Sequence, residues 1–293
     1  MKIKKEQIVK KGEVKVPHKI AAEVFGRSIS QFKDKSVVQQ IIKEGYISPY
    51  TGKKFKKVSR LLDYPMGIDV VYWKGVPVII DPDRFLQDDI VFKDIVNRFI
   101  GGENNVIRIS EVKLRKIGSF DFVLCKHEPL GNKINDFVIT EIQSDSTTGT
   151  GKLVQNLKDI MEKGLQGSKS SYAFGMNTYN TIKLSFVQML KKGLVAEGWD
   201  KNIVWVMQDF VFQNMLERFE IKENGFSKEK RTHYFIYSLV MDEKIGRHVL
   251  KLSGVHSYTV AELRVAFDKD RTLPSLEQFM NALEKRVETS LHK

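Results

Sequence analysis

Apolar and polar positions alternate over residues 107–114, 121–126 and 137–143, which predicts three consecutive strands. Helical spacing takes over at 153–163 and 181–192, where Ile182, Phe186, Met189 and Leu190 mark a core-facing stripe. A strand is expected at 203–209, and two more at 234–241 and 248–253. Ser275-Leu276-Glu277-Gln278 reads as a capping box opening a last amphipathic helix, with Leu276, Phe279, Leu283 and Val287 expected inward.

Upstream the elements are shorter. Residues 18–25 end at Gly26 and residues 37–44 end at Gly45, so both read as short helices closed by a glycine. Pro49 and Gly52 mark a turn over 47–52. Residues 70–73 and 76–80 read as strands joined through Lys74-Gly75, with Pro77 demoting the second to an edge. A helix over 88–99 carries Ile90, Val91, Ile95, Val96 and Phe99 inward and stops at Gly101-Gly102, the expected domain hinge. The pattern predicts an α/β fold, a mixed α+β sheet flanked by helices. Three units are expected: an N-terminal recognition module of helices and loops at 1–101, a core at 102–215, and strands and helices at 216–293 that complete it.

Two of the strands carry candidate chemistry. Asp121 opens one, and the next ends in Glu141-Ile142-Gln143, so Glu141 and Gln143 share a face because strand side chains alternate. Carboxylates gathered at strand ends suit Mg2+, which takes one or two of them and completes its shell with water and phosphate oxygens, as phosphodiester hydrolysis requires. Gln143 is neutral and cannot act as a base, but its amide can orient a water or hold a phosphate oxygen. Two polar strand ends facing solvent fit the same spacing.

Charge narrows the choice of partner. The chain has 48 Lys+Arg against 36 Asp+Glu, a net charge of +12, which favours a polyanion such as nucleic acid. Lys53, Lys54, Lys56 and Lys57, interrupted by Phe55, are candidates for the DNA backbone. Thr147, Thr148 and Lys152, in and after the polar loop that follows Gln143, are candidates for the same role. No RNA-binding pattern is present. The single cysteine, Cys125, excludes a disulfide framework and any multi-cysteine metal site, and a buried thiol is expected. No signal-peptide pattern or membrane-length apolar run is seen, so a cytoplasmic protein without membrane contact is expected. His233 reads as a structural strand histidine, Asp209 as a strand end, and neither His127 nor Tyr172, Tyr179, Lys183 and Lys191 form a pattern of their own.

The segments 76–85, 111–114, 121–124 and 139–143, in this order and approximate spacing, resemble the NotI family of type II restriction endonucleases over roughly residues 45–215. The resemblance implies a PD-(D/E)xK nuclease core in which Gln replaces the usual Lys, and Mg2+-dependent cleavage of double-stranded DNA at a fixed sequence, with Mn2+ as a substitute. It assigns Asp121 and Glu141 to metal binding, Gln143 to the lysine position, and Glu111 to a further acid near the metal. The resemblance also brings in an iron held by four cysteines in some members. The comparable positions here are Ser48, Asp69 and Asp81, with the fourth near Lys57, so no thiolate cage forms and no iron or zinc is expected. Hydrogen bonds and apolar packing are expected in its place. A homodimer acting on a palindrome, giving 5′-phosphate ends and paired with a DNA methyltransferase, completes the expectation. A repair or nicking nuclease of the same fold, or a DNA-binding protein without catalysis, are the alternatives.

Overall fold

The computed structural model describes residues 19–270 and 273–291. Four short strands, β1 (Lys19–Val24), β2 (Arg27–Ser28), β3 (Ile68–Trp73) and β4 (Val76–Ile79), form an antiparallel sheet in the order β2-β1-β3-β4. The helix expected over 18–25 is therefore a strand, His18 itself lying outside the described residues. The cause is burial on two sides: Ile20, Ala21 and Val24 join one apolar cluster while Ala22 joins another. A short run buried all round has no periodicity to separate strand from helix. The glycine signal marks a hairpin turn instead. Phe25 and Gly26 have φ of 51° and 70°, and a Cβ on Gly26 would come within 2.1 Å of the Pro49 ring.

Helix α1 (Ser36–Lys43) follows where the spacing over 37–44 predicts it. Pro77 sits on β4, an edge strand, as its missing N–H requires. Helix α2 (Ile90–Phe99) starts later than expected, because Asp88 and Asp89 take left-handed φ of 53° and 54°.

The second sheet has six strands. Strands β5 (Val106–Leu114), β6 (Gly118–His127) and β7 (Ile134–Gln143) form an antiparallel meander. The chain then makes a two-stranded ribbon, β8 (Thr147–Thr148) with β9 (Gly175–Met176), around helix α3 (Thr150–Gly167). Helix α4 (Thr178–Gly198) leads to β10 (Asn202–Gln208), which lies parallel to β7, and α5 (Asp209–Phe219) leads to β11 (Thr232–Asp242), parallel to β10. Strand β12 (Arg247–Tyr258) closes the order β12-β11-β10-β7-β6-β5. Ile203, Trp205 and Met207 of β10 pack under α4, α5 and α6 (Val260–Phe267), while Val204 and Val206 pack toward α2 and the small sheet. Burial on both faces explains why this central strand reads as a continuous apolar run.

The two sheets are stitched directly. The Gln208 side chain accepts from the Ile79 N–H at 2.8 Å and donates to the Pro77 carbonyl at 2.6 Å. Ile79's own carbonyl accepts from the Asp145 N–H at 3.0 Å. Apolar residues from both sides of Gly101-Gly102, such as Val70 and Ile79 with Leu124 and Val138, share one buried cluster.

Helix α7 (Leu276–Leu291) carries the expected capping box, with the Ser275 hydroxyl accepting from the Gln278 N–H at 3.1 Å and the Gln278 side chain accepting from the Ser275 N–H at 2.9 Å. Its apolar stripe does not point inward. Leu276, Phe279, Leu283 and Val287 are all exposed, since periodicity identifies an apolar side but supplies nothing to cover it. Among the described residues no helix is long and apolar enough to cross a membrane.

Candidate functional site

Register brings the acids together. Strands β6 and β7 pair Val123 with Ile139 and Phe122 with Thr140, so one further step sets Asp121 opposite Glu141. On the other side, Ser110 pairs with Phe122 and Val112 with Phe120, so Glu111 stands across from Asp121. The three residues thus stand at neighbouring positions across the sheet. Glu111 has φ of 55° and is exposed, so the ladder breaks at its position.

Asp121 is partly buried and its Oδ2 accepts from the Ile142 N–H at 2.9 Å. Glu141 is 2% exposed. Its Oε2 accepts from Lys192 Nζ at 2.6 Å, and its Oε1 is buried without a hydrogen-bond partner. Burial first, and the Asp121 charge second, raise the Glu141 pKa to about 7 against the opposing pull of Lys192. Gln143 lies on the same face, its amide donating to the Ser144 carbonyl at 2.6 Å and accepting from the Ser185 hydroxyl.

Helix α4 lays a polar stripe along the end of β7 and the loop after it. Lys192 meets Glu141, Ser185 meets Gln143, Thr181 meets the Ser146 hydroxyl at 3.0 Å, and Thr178 meets Asp145 at 2.5 Å. Sequence reasoning missed Lys192 and Ser185. The available signal was polar residues at 178, 181, 185 and 192, spaced to share one helix face, inside a helix read as core from its apolar positions.

Asp121 forms part of the wall of an open cleft of about 790 Å3. Phe122, Ile142, Arg108 and Glu111 belong to the same lining, and Lys53, Lys54, Lys56 and Lys57 face it from the loop before β3. Thr147 and Thr148 lie in the β8–β9 ribbon and Lys152 is exposed on the first turn of α3, all three outside that lining.

Of positions 48, 69 and 81, the last two are joined through the backbone. Ser48 and Asp69 are buried, and the Asp69 carbonyl accepts from the N–H groups of Ile80 and Asp81 at 3.0 and 3.3 Å. Asp69 Oδ2 accepts from the Gly26 N–H at 2.7 Å, and burial raises its carboxyl well above the ordinary range. Beside it, Arg84 holds Glu23 through two bonds of 2.5 and 3.2 Å and donates to Gln87 and to the His248 carbonyl. Among the described residues, no cluster of three or more His, Cys, Asp or Glu side chains is disposed to hold a metal ion.

The remaining candidates have structural surroundings. His233 is fully buried between Ser257 and Asn202, and burial lowers its pKa to about 3. Cys125 is buried in the apolar cluster beneath α4, and burial raises its thiol pKa. Asp209 accepts from the Ser238 hydroxyl at 2.7 Å.

A mixed sheet with a meander leading into parallel strands, and acids on adjacent strands beside a basic cleft, defines a nuclease-like α/β protein. Residues 64–250 match the family model described as Restriction endonuclease NotI, which spans more than half of the chain. The chain belongs to the NotI restriction endonuclease family. The matched region starts and ends later than the resemblance over roughly 45–215, taking in β11 and the start of β12. A comparison with curated proteins gives no match.

Proposed function

We propose that this protein is a type II restriction endonuclease that hydrolyses phosphodiesters of double-stranded DNA at a fixed sequence, using Mg2+ and leaving 5′-phosphate ends. The observation that supports it most is a pair of cross-strand acids, Asp121 lining a lysine-rich cleft and Glu141 buried behind it, in a chain of this family. The residues suit a hard divalent cation. Two carboxylates stand at facing cross-strand positions, one keeps a buried oxygen without a partner, and burial first and the neighbouring acid second raise its pKa, costs that a bound cation would offset. Asp121 and Glu141 would hold the ion, Glu111 would be a further acid at the rim, and Mn2+ would substitute. Bound there, it would polarise the phosphate and acidify the attacking water.

The protein's own residues supply the rest. Lys53, Lys54, Lys56 and Lys57 neutralise phosphates and set the strand in the cleft. The Gln143 amide has two N–H groups, one given to Ser144, and the other orients the attacking water. Thr147, Thr148 and Lys152 meet the backbone beyond the cleft. Residues 1–101 take the recognition role, 102–215 cleave, and 216–293 complete the sheet. Two copies related by a two-fold axis present one site to each strand of a palindrome, and a DNA methyltransferase protects the host's own sites.

The test is incubation with unmethylated plasmid DNA, with and without Mg2+, followed by sequencing of the ends. One recurrent sequence bearing 5′-phosphates, only with the cation, is expected. Salt-sensitive binding without cutting would instead support the non-catalytic alternative, and scattered nicks a repair nuclease.

A further inference from the structure

We infer that Lys192 is a positioning residue of the cleavage site, supplying from α4 the fixed positive charge that Gln143 cannot provide. The inference rests on the nuclease reading above. Its basis is the geometry of one buried ammonium. Lys192 Nζ donates to Glu141 Oε2 at 2.6 Å and to the Ser119 carbonyl at 2.8 Å. Ser119 lies two residues before Asp121 on β6, and Glu141 lies opposite Asp121 on β7. One cation therefore ties both strands beside the acid pair, fixing how far apart the carboxyls stand.

The contact also determines which Glu141 oxygen is left over. Oε2 is committed to Lys192, while Oε1 is buried with no partner. A carboxylate rotated about its terminal bond could offer either oxygen, and the ammonium selects one. The side chains of Lys192 and Glu141 are 6% and 3% exposed. A buried ion pair is weak grounds for stability, because desolvating two charges offsets most of their attraction. An unpartnered oxygen beside it adds a further cost to the fold. The arrangement makes sense as a site set for an incoming ligand.

Gln143 stands where a lysine would be two residues beyond Glu141, and both ends of its amide are engaged by Ser185 and Ser144. Ser185 and Lys192 are seven residues apart, two helical turns, so the same face of α4 holds both Gln143 and Glu141. The helix takes over a task that one strand would otherwise perform.

The test compares the unsubstituted protein with Lys192→Met and Lys192→Arg, reading steady-state cleavage, thermal unfolding, and Mn2+ binding to the free protein by paramagnetic relaxation of water protons. Lys192→Met is expected to lower kcat by about a hundredfold or more with KM for DNA nearly unchanged, and to weaken Mn2+ binding about tenfold. Lys192→Arg, which keeps the charge but not the geometry, is expected to fold with an unfolding midpoint near the parent's and to recover part of kcat. Unchanged kcat and Mn2+ affinity in Lys192→Met overturns the inference. Should that variant fail to fold, Lys192→Gln decides, since a folded glutamine protein with full kcat overturns the inference and a reduced kcat at unchanged KM supports it. No cleavage by the unsubstituted protein defeats the nuclease reading, and this inference with it, whereas cleavage by the parent and equally by Lys192→Met defeats this inference alone.

Discussion

Two buried glutamates, each bonded to a buried cation, have been driven in opposite directions. Glu23 is raised by burial, but His248 at 3.3 Å and the two-fold grip of Arg84 outweigh that and hold its pKa below the ordinary value. Glu141 receives one ammonium bond and faces Asp121, so burial and repulsion win and its pKa rises to about 7. The difference lies in completeness. Both Glu23 oxygens are engaged by Arg84, and its surroundings fasten β1 to β12 through the His248 carbonyl. Glu141 has an oxygen to spare beside an acid that opens onto a cleft. The first pair has its bonding capacity filled within the fold, and the second leaves part of it unused.

The largest effect expected from breaking this contrast is on catalysis. Asp121→Ala or Glu141→Ala should lower cleavage by about a thousandfold or more while leaving DNA binding largely intact, as gel shift alongside plasmid digestion would measure. Full cutting by either variant would remove the acid row from the mechanism. Chelation by EDTA should act in the same way and be reversed by Mg2+.

At Glu23 the loss should appear as stability instead. Arg84→Met leaves a carboxylate buried without its main partner, which costs about 3–5 kcal/mol. Denaturant unfolding should show that loss, and an unfolding free energy unchanged from the parent would contradict the assignment of this pair to the fold.

Acidity separates the two pairs further. Between pH 4.5 and about 7 the folded protein holds a proton on Glu141 that the unfolded chain has released, so this group's contribution to stability falls as pH rises through that window. If the proposed site cleaves through this carboxylate, the rate should climb with pH toward about 7 and then level, and higher Mg2+ should move that limb downward by competing with the proton. A limb at the ordinary glutamate value, insensitive to Mg2+, would argue against a perturbed Glu141. His233 works the other way. Its pKa is depressed from 6.5 to about 3, so the stability it contributes is lost as pH falls through that range.

The smallest effect is expected at the cleft rim. Replacing Lys53, Lys54, Lys56 or Lys57 singly by Gln should weaken DNA binding similarly for all sequences and reduce the slope of log affinity against log salt by about 0.9 per lost phosphate contact. An unchanged slope would take that lysine off the backbone.

The acid row was legible because it depends on short-range rules. Alternation along two neighbouring strands places Asp121, Glu141 and Gln143 on one face, and a hairpin register then sets the first two opposite. Lys192 was not legible because its partner lies 51 residues away and the helix carrying it was read from its apolar stripe alone. Strand β1 was misread because burial on both sides erases the alternation that distinguishes a strand. Helix α7 shows the converse: its capping box and stripe are visible in sequence, while nothing in the sequence says whether the stripe has a neighbour.

Gln208 has one more consequence. By accepting from Ile79 and donating to Pro77, its amide behaves as a peptide unit would, extending the edge of the small sheet by a single surrogate residue. The edge that Pro77 weakens is thereby capped against pairing with another strand. Ile79 also reaches Asp145, two residues past Gln143, so β4, which pairs with the strand after the lysine-bearing loop, is joined to the end of the acid-bearing strand. The span between the lysine-bearing loop and the acid row is then a built-in length, like the fixed opening of a caliper.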